Sequence, residues 1–181
     1  LTDIENKIYS KCQRLSNWNS QKIYYHFNRT DRRSWSVKRG EVYYVDFGEN
    51  IGSEQSKARP CVVVQSDAFG FSAATFICAI ISDSGRIIPD IHVPITGTYY
   101  YKENGVQVQL GGAIDLGHIR TIAKERILFK ICTLTDEIPS IDKKLLNTFG
   151  LSKMMEKKDN RISFLEKRVA ALQEKFPENI S

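Results

Sequence analysis

The chain has 181 residues, enough for one domain with a sizeable core plus an appendage, and a formal net charge of +5. Residues 1–40 hold nine Lys or Arg against three Asp or Glu, so the basic excess is an N-terminal property that suits a nucleic-acid contact, an acidic protein partner or a solvated helix. The four cysteines lack metal-site pairing, and the sequence shows neither a signal-like start nor an apolar run of membrane-spanning length, so neither secretion nor insertion is expected and a reducing cytoplasm is.

Residues 3–20 read as an amphipathic helix, because Ile4, Ile8, Cys12 and Leu15 recur at three- and four-residue intervals and Trp18 continues the stripe. The following Ile23–Phe27 run is too aromatic for a solvated face and is expected to pack. Arg29 to Ser36 reads as a polar linker. From Val37 the texture becomes β. Strands are expected at 41–47, 61–66, 74–81, 91–95, 106–109 and 112–116, rich in Val, Ile, Tyr and Phe and separated by Gly, Asp and Ser. Closely spaced strands without crossover helices imply a small, strongly curved antiparallel sheet or barrel, not a parallel α/β fold.

Residues 123–128 read as a short turn and 139–155 as a helix with Pro139 in its first turn. Ile162, Leu165, Val169, Leu172 and Phe176 are then spaced 3, 4, 3, 4, the a/d seam of a heptad pattern, which Pro177 should end. About two heptads suit an intramolecular hairpin as well as an intermolecular coil. The expected organisation is a basic helical extension at 1–36, a β-rich unit with its helix at 37–150 and an amphipathic helix at 151–181. The two terminal helices are expected to pack together beside the sheet, since each shows one apolar stripe in need of a partner.

Three motifs stand in order: Arg39-Gly40-Glu41-Val42-Tyr43; Gly52-Ser53-Glu54-Gln55 with Ala58-Arg59-Pro60 and Val62-Val63-Val64-Gln65; and Ile119-Arg120-Thr121-Ile122. In this combination the chain resembles the MazF/PemK family of toxin endoribonucleases over about residues 38–150. The resemblance implies a mostly β fold with flanking helices, a small SH3-like barrel. It also implies a homodimer that lays single-stranded RNA across its interface, and an acidic antitoxin that blocks the groove. Members cut without a metal ion, by attack of the ribose 2′-hydroxyl on the adjacent phosphorus.

On this resemblance Arg59 is the candidate for gripping phosphate and offsetting charge at the pentacoordinate phosphorus. Glu54 is a candidate to orient it or to move a proton, or else closes its loop through backbone hydrogen bonds. Ser53, Gln55, Lys57, Arg86 and Arg120 are candidate substrate contacts, and Arg120 could equally pair with Asp46 or Asp115. Two departures matter. Where many relatives have threonine or serine after the third strand, Ile81 stands here, with Ser82 one residue on. Where relatives have an acid before the last motif, this chain has Gly117-His118, and His118 becomes the candidate general base or acid. His92 and the Tyr99–Tyr101 triplet read as structural.

The alternatives are a non-catalytic binding module on the same barrel, motivated by Ile81 and Gly117, and a toxin that acts on a protein such as a topoisomerase. Scattered carboxylates make metal-dependent cleavage the weaker reading, and no phosphate-binding glycine motif opens a helix, so no cofactor is expected.

Overall fold

The computed structural model describes residues 2–69, 73–83, 85 and 87–175. Among the described residues eight strands and three α-helices follow in chain order: α1 (Asp3–Asn28), β1 (Glu41–Asp46), β2 (Ala58–Val63), β3 (Thr75–Ser82), β4 (His92–Pro94), β5 (Tyr100–Glu103), β6 (Val106–Gln109), β7 (Ala113–Ala123), β8 (Ile127–Thr133), α2 (Ile138–Thr148) and α3 (Ser152–Lys175). Six strands form one antiparallel sheet in the order β4-β7-β3-β2-β1-β8, and β5 and β6 form a separate hairpin. The fold is therefore mostly β with flanking helices. The hydrogen-bonded ladder stays open at β4 and β8 rather than closing into a full barrel.

Strand alternation divides the core. Tyr43, Val45, Cys61, Val63, Phe76, Cys78, Ile80 and Ile122 bury one face together with Val37, Phe47 and Ile127. Val42, Val62, Ala79, Ile81, Ile114 and Leu116 bury the other, covered by Ile141 of α2 and by Tyr99 and Tyr101 around the hairpin. Tyr101 lies 5.6 Å from Tyr44, whose ring stacks on Phe129 at 5.1 Å. Two of the three consecutive tyrosines are thus packing groups, whereas Tyr100 is exposed.

Several elements differ from the sequence reading. The predicted turn at 123–128 leads directly into β8, which pairs along β1 and was hidden by its Lys130 and its short apolar runs. β5 is likewise an added strand. The predicted strand 112–116 runs on to Ala123, so the Ile119–Ile122 motif lies within β7 rather than at a strand end. The expected single helix 139–155 is broken around Gly150 into α2 and α3.

At the N-terminus, α1 opens on a capping box in which the Thr2 side chain and Glu5 exchange bonds with each other's backbone N–H. The helix extends eight residues past its expected end, through the aromatic run. Of that run only Tyr25 is buried, while Ile23, Tyr24 and Phe27 stay exposed, because one helix face meets the sheet and the others do not. Residues 29–36 are no loose linker. Arg29 donates to the Ile127 carbonyl at 2.8 Å, Arg33 pairs with Glu125 at 2.5 Å, and the buried Lys124 donates to the Trp35 carbonyl at 2.7 Å.

The expected pairing of the two terminal helices is not found. α1 spends its packing face on Asp46, Gly48 and Arg126, through Tyr25 and Trp18. α3 meets the rest of the chain at its start, against α2, and buries none of its described residues. Phe176 and Pro177 lie outside the described residues.

Tyr25 donates to Asp46 Oδ2 at 2.8 Å. Burial and the Asp46 carboxylate push its phenol up to about 12. Tyr25 therefore adds stability that is complete below pH 10, the ordinary phenol value, and is lost as pH rises toward 12. Tyr25→Phe is expected to lower stability by about 1 kcal/mol at neutral pH and to flatten the alkaline decline, measured as denaturant midpoints across pH 8–12.

Candidate active site

The β1–β2 loop positions the first group of side chains. Its base is closed by Lys57 N–H to the Gly48 carbonyl at 2.7 Å and Phe47 N–H to the Lys57 carbonyl at 3.0 Å. Inside it, Asn50 Nδ2 donates to the Gln55 carbonyl at 2.6 Å and Asn50 N–H to Ser56 Oγ at 3.1 Å. The folded-back loop delivers Gln55 and Glu54 to two arginines on β2 and β7, the strands that flank β3. Arg59, on β2, donates from Nε to the Ser56 carbonyl at 3.0 Å and from Nη1 to Gln55 Oε1. Glu54 accepts from Arg120 Nη2 at 3.0 Å. The loop amide thus orients Arg59, and the loop carboxylate engages Arg120 rather than Arg59. Ser53 and Lys57 are exposed on the same loop, while Arg86 lies outside the described residues.

β7 carries the second group. It pairs with β3 as Cys78↔Arg120 and Ala79↔Ile119, then jumps to Ile80↔Asp115. The residues between form a bulge, which kinks the strand and re-aims its side chains. In a regular strand residues three apart point to opposite faces. Here Asp115 Oδ2 meets His118 Nδ1 at 2.6 Å, and Asp115 Oδ1 accepts from the Gly117 N–H at 2.9 Å. Gly117 leaves room for this approach: a Cβ there would stand 3.1 Å from Asp115 Oδ1 and 3.2 Å from Ile91 Cδ1, so those side chains would have to shift by a few tenths of an ångström. On the far side of the carboxylate, His92 Nδ1 accepts the Ile88 N–H at 3.0 Å, leaving its protonated Nε2 directed at Asp115 Oδ1 at 3.5 Å.

A hydrogen bond between imidazole Nδ1 and a carboxylate needs a proton on that nitrogen. In the neutral ring this leaves His118 Nε2 with a free lone pair. His118 is partly exposed and Asp115 is buried, an arrangement that fixes the ring and leaves its outer edge accessible.

The two groups share a face. Cys61 pairs with Ile80 across β2 and β3, so continuing that register by two residues sets Arg59 opposite Ser82. Arg59, Ser82, Asp115 and Arg120 all follow the alternation of the face that contains Val63, Cys78 and Ile80. Ile81 points the other way and is buried in the opposite core cluster. Ser82, His92 and Asp115 also line one cavity of about 90 Å³, with Asp83, Ile87 and Ala113.

Sequence reasoning placed Asp115 only as a possible partner of Arg120 and read His92 as structural. The Asp-x-x-His spacing at 115–118 was visible, but it signals a contact only when a bulge intervenes.

α1 holds the loop from behind. Lys11 Nζ binds Glu49 Oε2 at 2.8 Å and the Asn50 carbonyl at 3.0 Å, and Arg14 lies 3.4 Å from Glu49. The Trp18 ring covers Gly48 so closely that a Cβ there would fall 2.2 Å from it.

The chain belongs to the PemK-like, MazF-like toxins of type II toxin–antitoxin systems, whose family model matches residues 38–149. Endoribonuclease EndoA of Bacillus subtilis (strain 168) is 37% identical over 103 residues, 56% of this chain and 84% of that protein. Among solved structures, a mycobacterial endoribonuclease in complex with its cognate antitoxin matches 64% of this chain and 97% of its own at 20% identity and a TM-score of 0.48. MazF of Deinococcus radiodurans matches 64% and 98% at 18% identity and a TM-score of 0.49.

Gly48→Ala is expected to unseat Trp18, since the clash adds to the cost of about 1–2 kcal/mol for a side chain at φ +72°. Hydrogen exchange should quicken in residues 15–28 and in the 48–57 loop while β1 and β3 keep their protection.

Proposed function

We propose that this chain is an endoribonuclease that cuts single-stranded RNA without a metal ion, through attack of a ribose 2′-hydroxyl on the adjacent phosphorus. The observation that carries the reading is the 2.6 Å Asp115–His118 pair on β7, placed on the sheet face that also presents Arg59. The family and the EndoA relative supply the reaction class, and the residues of this chain supply the parts.

His118 Nε2 takes the proton of the attacking 2′-hydroxyl, with Asp115 stabilising the imidazolium that forms. Arg59, aimed by Gln55 and Ser56, offsets the charge that grows on the non-bridging oxygens of the phosphorane. Its Nη2 is free for this among the described contacts. Ser82 offers a hydroxyl donor to the same phosphoryl group. Arg120, held by Glu54, attracts the neighbouring phosphate, and Ser53 and Lys57 at the loop surface extend the contact. The P–O5′ bond breaks to leave a 2′,3′-cyclic phosphate and a 5′-oxygen. That oxygen takes a proton from solvent, balancing the one His118 has accepted.

The non-catalytic reading drew on Ile81 and Gly117. Ile81 belongs to the core face, where it displaces nothing from the site, and Gly117 makes room for the Asp115 turn. Residues 37–150 form the catalytic unit in this reading, with residues 1–36 clamping its loop. The working form is a homodimer in the cytoplasm, countered by an acidic antitoxin.

Purified protein incubated with mixed-sequence RNA in EDTA should give repeatable cuts with cyclic-phosphate ends. Arg59→Ala should lower the cleavage rate about 10²–10³-fold with an unchanged melting point. His118→Ala should lower it about 10²–10⁴-fold and remove a limb of the pH–rate profile between pH 5 and 8, a change Arg59→Lys should not produce. Equal cutting by a folded Arg59→Ala protein would sink the mechanism. Tight RNA binding with no cleavage by the unaltered chain would restore the binding-module reading.

A further inference from the structure

We propose that α3 is a self-association helix that pairs with α3 of a second copy of this chain as a parallel, two-stranded coiled coil. The proposal rests on this helix alone and stands or falls independently of the nuclease reading.

α3 is continuous from Ser152 to Lys175, yet Ile162, Leu165, Val169 and Leu172 remain 53%, 43%, 53% and 51% exposed. Ile162, Leu165 and Val169 line an open groove along one side of the helix, together with Glu166, Ala170 and Gln173. Beyond its contact with α2 at its start, α3 buries none of its described residues, whereas helices in proteins draw most of their stability from packing an apolar face. The sheet and α2 form their cores without this stripe, and α1 is committed to the loop at 48–50, so the described residues leave the face uncovered.

The residue types on the stripe specify the occupant. With Ile162 and Val169 at a and Leu165 and Leu172 at d, β-branched a residues face γ-branched d residues, the combination that favours two parallel strands. The flanking positions agree. The g positions are Arg161, Arg168 and Lys175, all basic, and the e positions are Asp159, Glu166 and Gln173, with no base among them. In a parallel pair each g side chain meets the e side chain of the following heptad on the partner helix, which sets Arg161 against Glu166 and Arg168 against Gln173. An antiparallel pair would set the basic row against the basic row and Asp159 and Glu166 against each other's copies. Among the described residues Glu166 has no ion-pair partner within the chain, so its charge is available to a second copy.

The seam is short, so the coil should be weak when isolated and should strengthen when another contact already joins the two copies. Its two-fold axis runs along the coil, which makes it compatible with a symmetric dimer of the sheet domain.

Leu172→Cys and Phe164→Cys, each in a full-length Cys12→Ser background, test the geometry by mild oxidation. In a parallel, in-register coil residue 172 faces its own copy, whereas residue 164 lies on the outer side of the helix. Disulfide-linked dimer should form at least ten-fold faster for Leu172→Cys. Arg161→Glu should slow that cross-linking, and adding Glu166→Arg to it should restore the rate. Leu165→Asp with Leu172→Asp should weaken dimerisation at least ten-fold by sedimentation while the melting curve of the sheet domain is unchanged. Equal cross-linking at positions 164 and 172, or unaltered dimerisation in the double variant, would overturn the proposal. So would a stripe that protects itself from labelling only when an antitoxin is added, which would assign the face to that partner.

Discussion

The bulge in β7 is the constraint on which the candidate site depends. Between the Ala79↔Ile119 and Ile80↔Asp115 pairings the strand accommodates extra residues without losing its place beside β3. Below the bulge, Arg120 and Ile122 follow the pleat; above it, Asp115 and Ile114 follow the same pleat again. The inserted residues turn His118 back onto Asp115, and Gly117 supplies the space for that turn. Without the bulge a carboxylate and a histidine three residues apart would lie on opposite faces of the sheet. The 2.6 Å contact is a product of strand irregularity, and a carboxylate–imidazole pair arises where a regular strand would have none.

The second half of the site is held by a loop, and the loop by a helix. Glu54 and Gln55 reach Arg120 and Arg59 from a segment whose own backbone is tied down by Asn50, Ser56 and Lys57. α1 adds Lys11, Arg14 and Trp18 against the opposite side of that segment. Much of the basic N-terminal charge is consequently engaged within the chain: Lys7 with Asp3, Lys11 and Arg14 with Glu49, and Arg33 with Glu125. The positive excess, which composition leaves open to a nucleic acid, an acidic partner or a solvated helix, works first as a fastening between the helix and the sheet.

The C-terminal helix follows a different logic. Helix–sheet packing needs a stripe wide enough to cover a surface, as α2 achieves with Ile141 buried and Ile138 and Leu145 beside it. α3 has the narrower a/d seam, which suits another helix and nothing broader. Its exposure beside a filled core is the counterpart of α1's commitment to the loop.

The sequence by itself determined the class of fold, the positions of most strands along the chain and the family, because alternation of Val, Ile and Tyr and the spaced motifs around Arg59 and Arg120 are local properties of the chain. It also showed the heptad spacing of α3, which depends only on the helical repeat. It misread β8, where a lysine and short apolar runs resemble a turn until β1 is present to pair with them, and it ended β7 too early. It took Glu54 as the residue to orient Arg59, where the folded loop brings Gln55 to that arginine and Glu54 to Arg120. Only the tertiary structure decided that Ser82 rather than Ile81 shares the face of Arg59, that Asp115 holds His118, and that the two terminal helices part company. Each of these turns on register, bulge or competition between surfaces, and such quantities exist only once strands distant in sequence lie side by side.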